Sequence, residues 1–129
     1  MIKAYFERIQ ETNPLINAVI EIRHQALDDA RKIDKELAEE GDEARNEDGV
    51  RLLDLPLLGV PFTCKDSWSI AGMHLVVGLQ SRKNELATED SAAIRNLRKS
   101  GGIPIALTNV PELLMWWDAH NTGKKKQMI

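Results

Sequence analysis

The chain has 129 residues, 43% of them hydrophobic and 29% charged, with a formal net charge of −3. That length suits one modest domain burying roughly two-thirds of its unfolded surface, and the slight negative charge, with no basic stripe interleaved with aromatics, excludes nucleic acid as an expected partner. A single cysteine excludes an internal disulfide framework and fits a reducing, cytoplasmic setting.

The start, "MIKAYFERIQ", carries charges where a signal peptide needs an apolar run, and no window approaches the roughly 18 apolar residues of a membrane span. This chain is expected neither to enter nor to cross a membrane. Ile2, Tyr5, Phe6 and Ile9 recur at helical spacing, and Asn13 followed by Pro14 predicts the end of that helix, because proline disfavours the α conformation of its predecessor. "INAVIEIR" is β-branched and short, which predicts a strand. Ala26, Leu27, Ala30, Ile33 and Leu37 then form one apolar stripe, a second helix ending near Gly41.

"GDEARNEDG" is charged and aperiodic and reads as a solvated loop. From Leu55 to Lys65 an apolar run predicts a buried turn and strand; if residues 60–65 are extended, Val60, Phe62 and Cys64 share one face while Pro61, Thr63 and Lys65 share the other. "TEDSAAIRNLRKSGG" predicts a capped helix with acidic residues early, Lys99 late, Ala93, Ile94 and Leu97 on a stripe, and two glycines to end it. "IPIAL" is a following strand, Thr108 and Asn109 a polar turn, and Pro111 the expected first residue of a helix through "ELLMWW". Helices alternating with strands predict an α/β fold. Residues 122–129, three lysines without helical or strand pattern, read as a divergent basic tail on a domain of residues 1–121.

Chemistry-bearing candidates are few. His24, His74 and His120 are scattered, and none pairs with another histidine or with Cys64 at ligand spacing, so neither a metal nor a cofactor is expected. "TGKKK" lacks the upstream glycine of a phosphate loop. Cys64 adjoins a cation in sequence, yet strand alternation sends the two side chains to opposite faces and leaves the thiol in apolar packing, where it is inert. Lys65 has two readings. It either reaches solvent or pairs with Asp66 at the strand end, or it is buried, loses its charge and serves as a base in acyl transfer. A base needs a nucleophile, and none of Ser67, Ser69, Ser81, Ser91 and Ser100 lies in a glycine-flanked elbow.

"PLLGVPFTCKDSWSIAGM", the spacing to "GLQSRKNELATEDSAAIRNLRKSGGIPIALTNVPELLMWWDAHN", and the upstream "INAVIEIRHQALDDARKID" together resemble the N-terminal part of the amidase signature family, in its fatty-acid amide hydrolase 2-like branch. The similarity covers residues 1–121. Gly102 and Ala106 depart from the common pattern but are small residues that it tolerates.

The resemblance implies a larger α/β fold, a mixed twisted sheet with surrounding helices, of which this chain is an incomplete part. It also implies a Ser-cisSer-Lys triad acting on fatty-acid or other small amides, in which Lys65 matches the lysine and Leu114, Met115, Trp116 and Trp117 lie near the acyl channel. The residue pattern of that last segment reads equally as core packing of an apolar helix. Both family serines follow the segment ending at Asn121, so the chain alone is expected to be catalytically inactive, and membrane association is expected only of a longer parent. Two other readings stay open: a non-catalytic or partner-binding product, and a subunit resembling those of the tRNA-dependent amidotransferases.

Overall fold

A computed structural model describes residues 1–121. The basic tail assigned to residues 122–129, including "TGKKK", lies outside the described residues. In chain order the elements are α1 (Ile2–Ile16), β1 (Val19–Ile22), α2 (Ala26–Glu40), β2 (Pro61–Lys65), α3 (Ala92–Lys99) and β3 (Ile103–Thr108), joined by short 3-10 turns. The predicted α/β alternation is present. No helix among the described residues is long and apolar enough to cross a membrane.

The three strands form one mixed sheet in the order β1-β3-β2, with β3 antiparallel to β1 and parallel to β2. A parallel pair needs a long crossover, which α3 supplies. Because β3 is central and covered on both faces, its residues 103–107 are all buried, the continuous apolar run expected of an interior strand. Pro104 within it has no N–H to give. Opposite it the β2 register slips, Phe62 pairing with Pro104 and Thr63 with Ala106. Strict alternation would put Ile103, Ile105 and Leu107 on one face. The slip allows Ile103 and Ile105 to pack with Ile2, Phe6 and Ala26 under α1 and α2, while Leu107 packs with Cys64, Ile70, Met73 and Ile94 on the α3 side.

Four local expectations need correction. Helix α1 does not stop at Asn13 but runs through Pro14 to Ile16. Pro14 falls in the last turn, and Asn13 remains helical because its side chain is clamped to β1, donating to Val19 O and accepting from Val19 N, each at 2.8 Å. Asn17, at φ 52°, then closes the helix with its N–H on Asn13 O. The acidic residues Glu89 and Asp90 lie before α3 rather than in its first turn; Asp90 Oδ1 instead accepts from Ala71 N at 2.8 Å, and Arg98 approaches its other oxygen at 3.4 Å. The loop after α2 is more ordered than its charge suggested, since Asn46 Oδ1 accepts from Asp48 N and Val50 N, and Ala44 is buried. Val60 precedes β2 and is exposed, so only Phe62 and Cys64 of the predicted inward trio pack on the second core cluster.

Helices α2 and α3, which pack into separate apolar clusters, are tied by charge. Arg23, buried just after β1, donates to Asp29 at 2.6 Å, and Arg98 of α3 lies 3.8 Å from the same carboxylate. At the far end of α3, Gly101 (φ 94°) and Gly102 return N–H groups to Arg98 O and Leu97 O, and the chain turns into β3. That turn seats the segment before β2, because Leu57 N donates to Ser100 O and Gly59 N to Gly101 O.

A Cβ at Gly101 would stand 2.7 Å from Leu58 Cα and 2.8 Å from Leu58 N, both backbone atoms that cannot swing away. Gly101→Ala is therefore expected to lower stability by about 1–3 kcal/mol or more, read as a fall in the urea midpoint with little change in slope. Cys64 offers a pH test. Burial, helped by the charge of Asp90, pushes its thiol from 9.0 up to about 11. The folded state then holds its proton more tightly than the unfolded state, so this contribution is whole below about pH 9 and is lost as pH rises to about 11. The stability difference between wild type and Cys64→Ala should shift across that window and be flat below it. Alkylation of the native thiol at pH 8 should be far slower than in urea.

Candidate functional site

In an open sheet, ligands collect at the carboxyl ends of parallel strands, where loops diverge. Here β2 and β3 end side by side, Lys65 paired in register with Thr108, and the next residue of each chain exit, Asp66 and Asn109, faces one cavity. Asp66 N extends the ladder by donating to Thr108 O at 3.0 Å, while Thr108 Oγ1 donates to Cys64 O at 3.2 Å. A cavity of about 350 Å³ opens at this end, lined among others by Ile20, Glu21, Asp66, His74, Asn109 and Asn121.

Lys65 is exposed, so that solvent is the surrounding it meets in the described residues. There is no dry wall around it. Nor does it pair with Asp66, whose carboxylate is turned inward and only 2% of whose surface is exposed. Burying a carboxylate costs several kcal/mol unless bonds replace its hydration. Asp66 finds them in backbone amides ten and twelve residues on: Oδ1 accepts from Val76 N at 2.8 Å and Oδ2 from Gly78 N at a long 3.5 Å. Of the two readings of Lys65, the outward one matches its position in these residues.

The segment 114–117 is neither an α-helix nor part of the core. After Pro111 the chain makes one 3-10 turn, Glu112–Leu114, in which Leu113 and Leu114 take left-handed backbone angles (φ 52° and 60°). Such angles cost about 1–2 kcal/mol per residue and end a helix. They are imposed from outside the segment. Leu113 N donates to Val77 O at 3.0 Å, and the ends are cross-tied, with Asn109 Nδ2 donating to Ala119 O and Asn121 Nδ2 donating to both Asn109 Oδ1 and Val110 O. Held between these ties, Leu114, Met115, Trp116 and Trp117 face outward, Met115 with 78% and Trp117 with 95% of their surface exposed. None of them, and not Lys65, is among the cavity's lining residues.

The histidines are as dispersed as their spacing implied, but His74 is not idle. Its Nδ1 lies 3.0 Å from Glu21 Oε2, the same oxygen that accepts its backbone N–H at 3.1 Å, so β1 anchors the excursion after β2. His24 stacks edge-on against Phe6. Among the described residues no group of three or more His, Cys, Asp or Glu is placed to hold a metal. Ser91 caps α3 by position without a side-chain bond, its Oγ buried and unpartnered.

Asp66, Asn109 and Asn121 are the polar residues that composition and spacing missed. The residue pair Lys-Asp was visible, but it suggested a local ion pair; the partners of Asp66 are main-chain groups that leave no trace in side-chain spacing. Asn121, at the margin of the described chain, is legible only through its bonds to Asn109 and Val110.

The amidase family profile, described as "Amidase", matches residues 1–126. "Fatty-acid amide hydrolase 2-A" of Danio rerio is 42% identical over 123 residues, 94% of this chain and 22% of that protein. "Fatty-acid amide hydrolase 2" of Homo sapiens is 36% identical over 123 residues with the same shares. Among solved structures, the native peptide amidase from Stenotrophomonas maltophilia superposes with a TM-score of 0.71 at 27% identity, over 86% of this chain and 21% of that one. The chain thus spans about 22% of the length of the curated relatives it matches. With a profile that runs over nearly every residue and a sheet and helices that superpose on an amidase, the chain belongs to the amidase family.

Proposed function

We propose that the protein acts as part of a serine amide hydrolase for fatty-acid or other small amides, with Lys65 as the base of its Ser-cisSer-Lys triad. The observation that carries this reading is the position of Lys65. It closes a parallel strand at the carboxyl edge of the sheet, beside the cavity, in a chain 42% identical to a fatty-acid amide hydrolase 2. An amine works as a base only without its proton, which a dry cover promotes. Lys65 is exposed here, so the reading draws that cover, together with both serines, from outside residues 1–121. In the proposed sequence neutral Lys65 accepts a proton from the bridging serine, which takes one from the nucleophilic serine as that oxygen adds to the amide carbonyl. The C–N bond breaks, the amine leaves with a proton, and water releases the acid from the acyl-enzyme.

The outward apolar segment supports the lipid-like substrate class. Leu114, Met115, Trp116 and Trp117 form a contiguous unpartnered surface next to the site, a patch that marks an interaction surface more often than chance exposure. They are proposed as one wall of the acyl channel. The described residues hold no serine in a glycine-flanked elbow, which favours a second statement about this polypeptide: taken alone it is catalytically inactive.

A chimera tests the first statement and a probe the second. Residues 1–121 would replace the matching stretch of the Danio rerio relative, and hydrolysis of a fatty-acid amide would be measured. Lys65→Ala should lower turnover by about 10²–10⁴-fold without lowering the melting temperature. A folded chimera that hydrolyses no amide, or a variant that keeps the wild-type rate, overturns the reading. The isolated 129-residue chain should not be labelled by a fluorophosphonate; labelling would place the nucleophile inside it.

A further inference from the structure

Asp66 is the one buried carboxylate among the described residues, and its bonds reach away from its own strand. The two amides it holds, those of Val76 and Gly78, flank Val77, whose backbone is left-handed at φ 51°. Converging two N–H groups on one anion is what a left-handed residue between them permits. The carbonyl of that same Val77 is then aimed at Leu113 N, 3.0 Å away. Gly78 completes the join from the other side: a Cβ there would lie 2.9 Å from Glu112 Cα and 3.0 Å from Pro111 O, so only glycine lets the two backbones meet. Beyond this junction the chain enters the outward apolar residues 114–117.

We propose that Asp66 is a positioning residue: its carboxylate, through Val76, Val77 and Gly78, fixes the place of the apolar segment 113–117 relative to the end of β2. The link runs from the sheet edge that bears Lys65 to the surface assigned to the acyl chain, through two carboxylate–amide hydrogen bonds, one backbone hydrogen bond and one close backbone contact. Its consequence for substrate rests on the function proposed above; its mechanical part does not. A carboxylate supplies two acceptor oxygens to two donors. Asparagine would keep one acceptor and turn an NH₂ group toward the other N–H, so Asp66→Asn should loosen one bond and Asp66→Ala both.

Amide hydrogen exchange in the 129-residue chain reads the mechanical part. Asp66→Asn should speed exchange at Val76, Gly78 and Leu113 by about ten- to a hundredfold, while Arg23 and Ile103, whose amides donate to Ile105 O and Val60 O, stay protected. Gly78→Ala leaves Asp66 intact and breaks the next link, so it should speed exchange at Leu113 and spare Val76. It also serves if the Asp66 variants fail to fold. Unchanged exchange at Leu113, or a uniform rise that includes Arg23 and Ile103, overturns the proposal, the second because it would show only a general loss of stability.

In the chimera, Asp66→Asn should raise KM severalfold for a long-chain amide and little for a short-chain one, with the pH profile of kcat unmoved. Equal effects on both substrates would refute the link to the acyl surface, since a smaller folded fraction lowers both rates alike and leaves KM alone. A chimera that hydrolyses nothing defeats the functional reading, and the exchange result still decides whether Asp66 governs the segment.

Discussion

Strand β3 is hydrogen-bonded on both edges and covered on both faces, and the position of every other element follows from that double enclosure. A strand in this situation can carry no polar side chain within its run, which is why Ile103, Ile105, Ala106 and Leu107 occupy it and polar character starts at Thr108. Its parallel partner β2 ends level with it, Lys65 opposite Thr108. The chain exits at Lys65 and Thr108 are therefore brought to one edge by a constraint that acts at the middle of the sheet, some distance from any chemistry. The proline in β3 and the register slip opposite it belong to the same constraint, since the slip absorbs the missing N–H and divides the core between the two faces.

What distinguishes the carboxyl edge is how much of its order comes from side chains bonding to backbone. Asp66 holds two amides of the 76–78 turn, Glu21 holds the amide and ring of His74, and Asn109 and Asn121 tie down the segment after β3. Loops that cannot use a ladder need such partners for buried polar groups. These bonds leave apolar residues 113–117 without a core to enter and hold Leu113 and Leu114 in left-handed conformations. An exposed Trp117 and a buried Asp66 invert the usual distribution of polarity in the segments that follow β3 and β2.

The identity of relatives and the geometry agree on the family while dividing the question of activity. The described residues contain an exposed lysine, a cavity whose lining includes Asp66 and Asn109, and an exposed apolar surface; the chain is about 22% as long as the curated proteins it resembles. Exposure of Lys65 in this part of the fold and its proposed use as a base are compatible, because a lysine loses its proton, and so becomes able to accept one, when other residues remove water from it.

Local pattern was sufficient for the apolar stripe of α2, the β-branched β1, the glycine-ended α3 and the buried β3, because each is read from periodicity or from residues whose backbone preferences act at short range. It was also sufficient for an inert Cys64, since alternation along a strand is itself a local rule. It failed at Pro14, Glu89, Asp90 and residues 112–117, where bonds to distant partners overrode propensity: Asn13 to Val19, Asp90 to Ala71, Leu113 to Val77. Asp66 was the deepest miss. In the sequence it stands beside a lysine, and only the folded chain brings Val76 and Gly78 to its carboxylate, because main-chain donors are the same at every position and acquire meaning only from where the backbone has been carried.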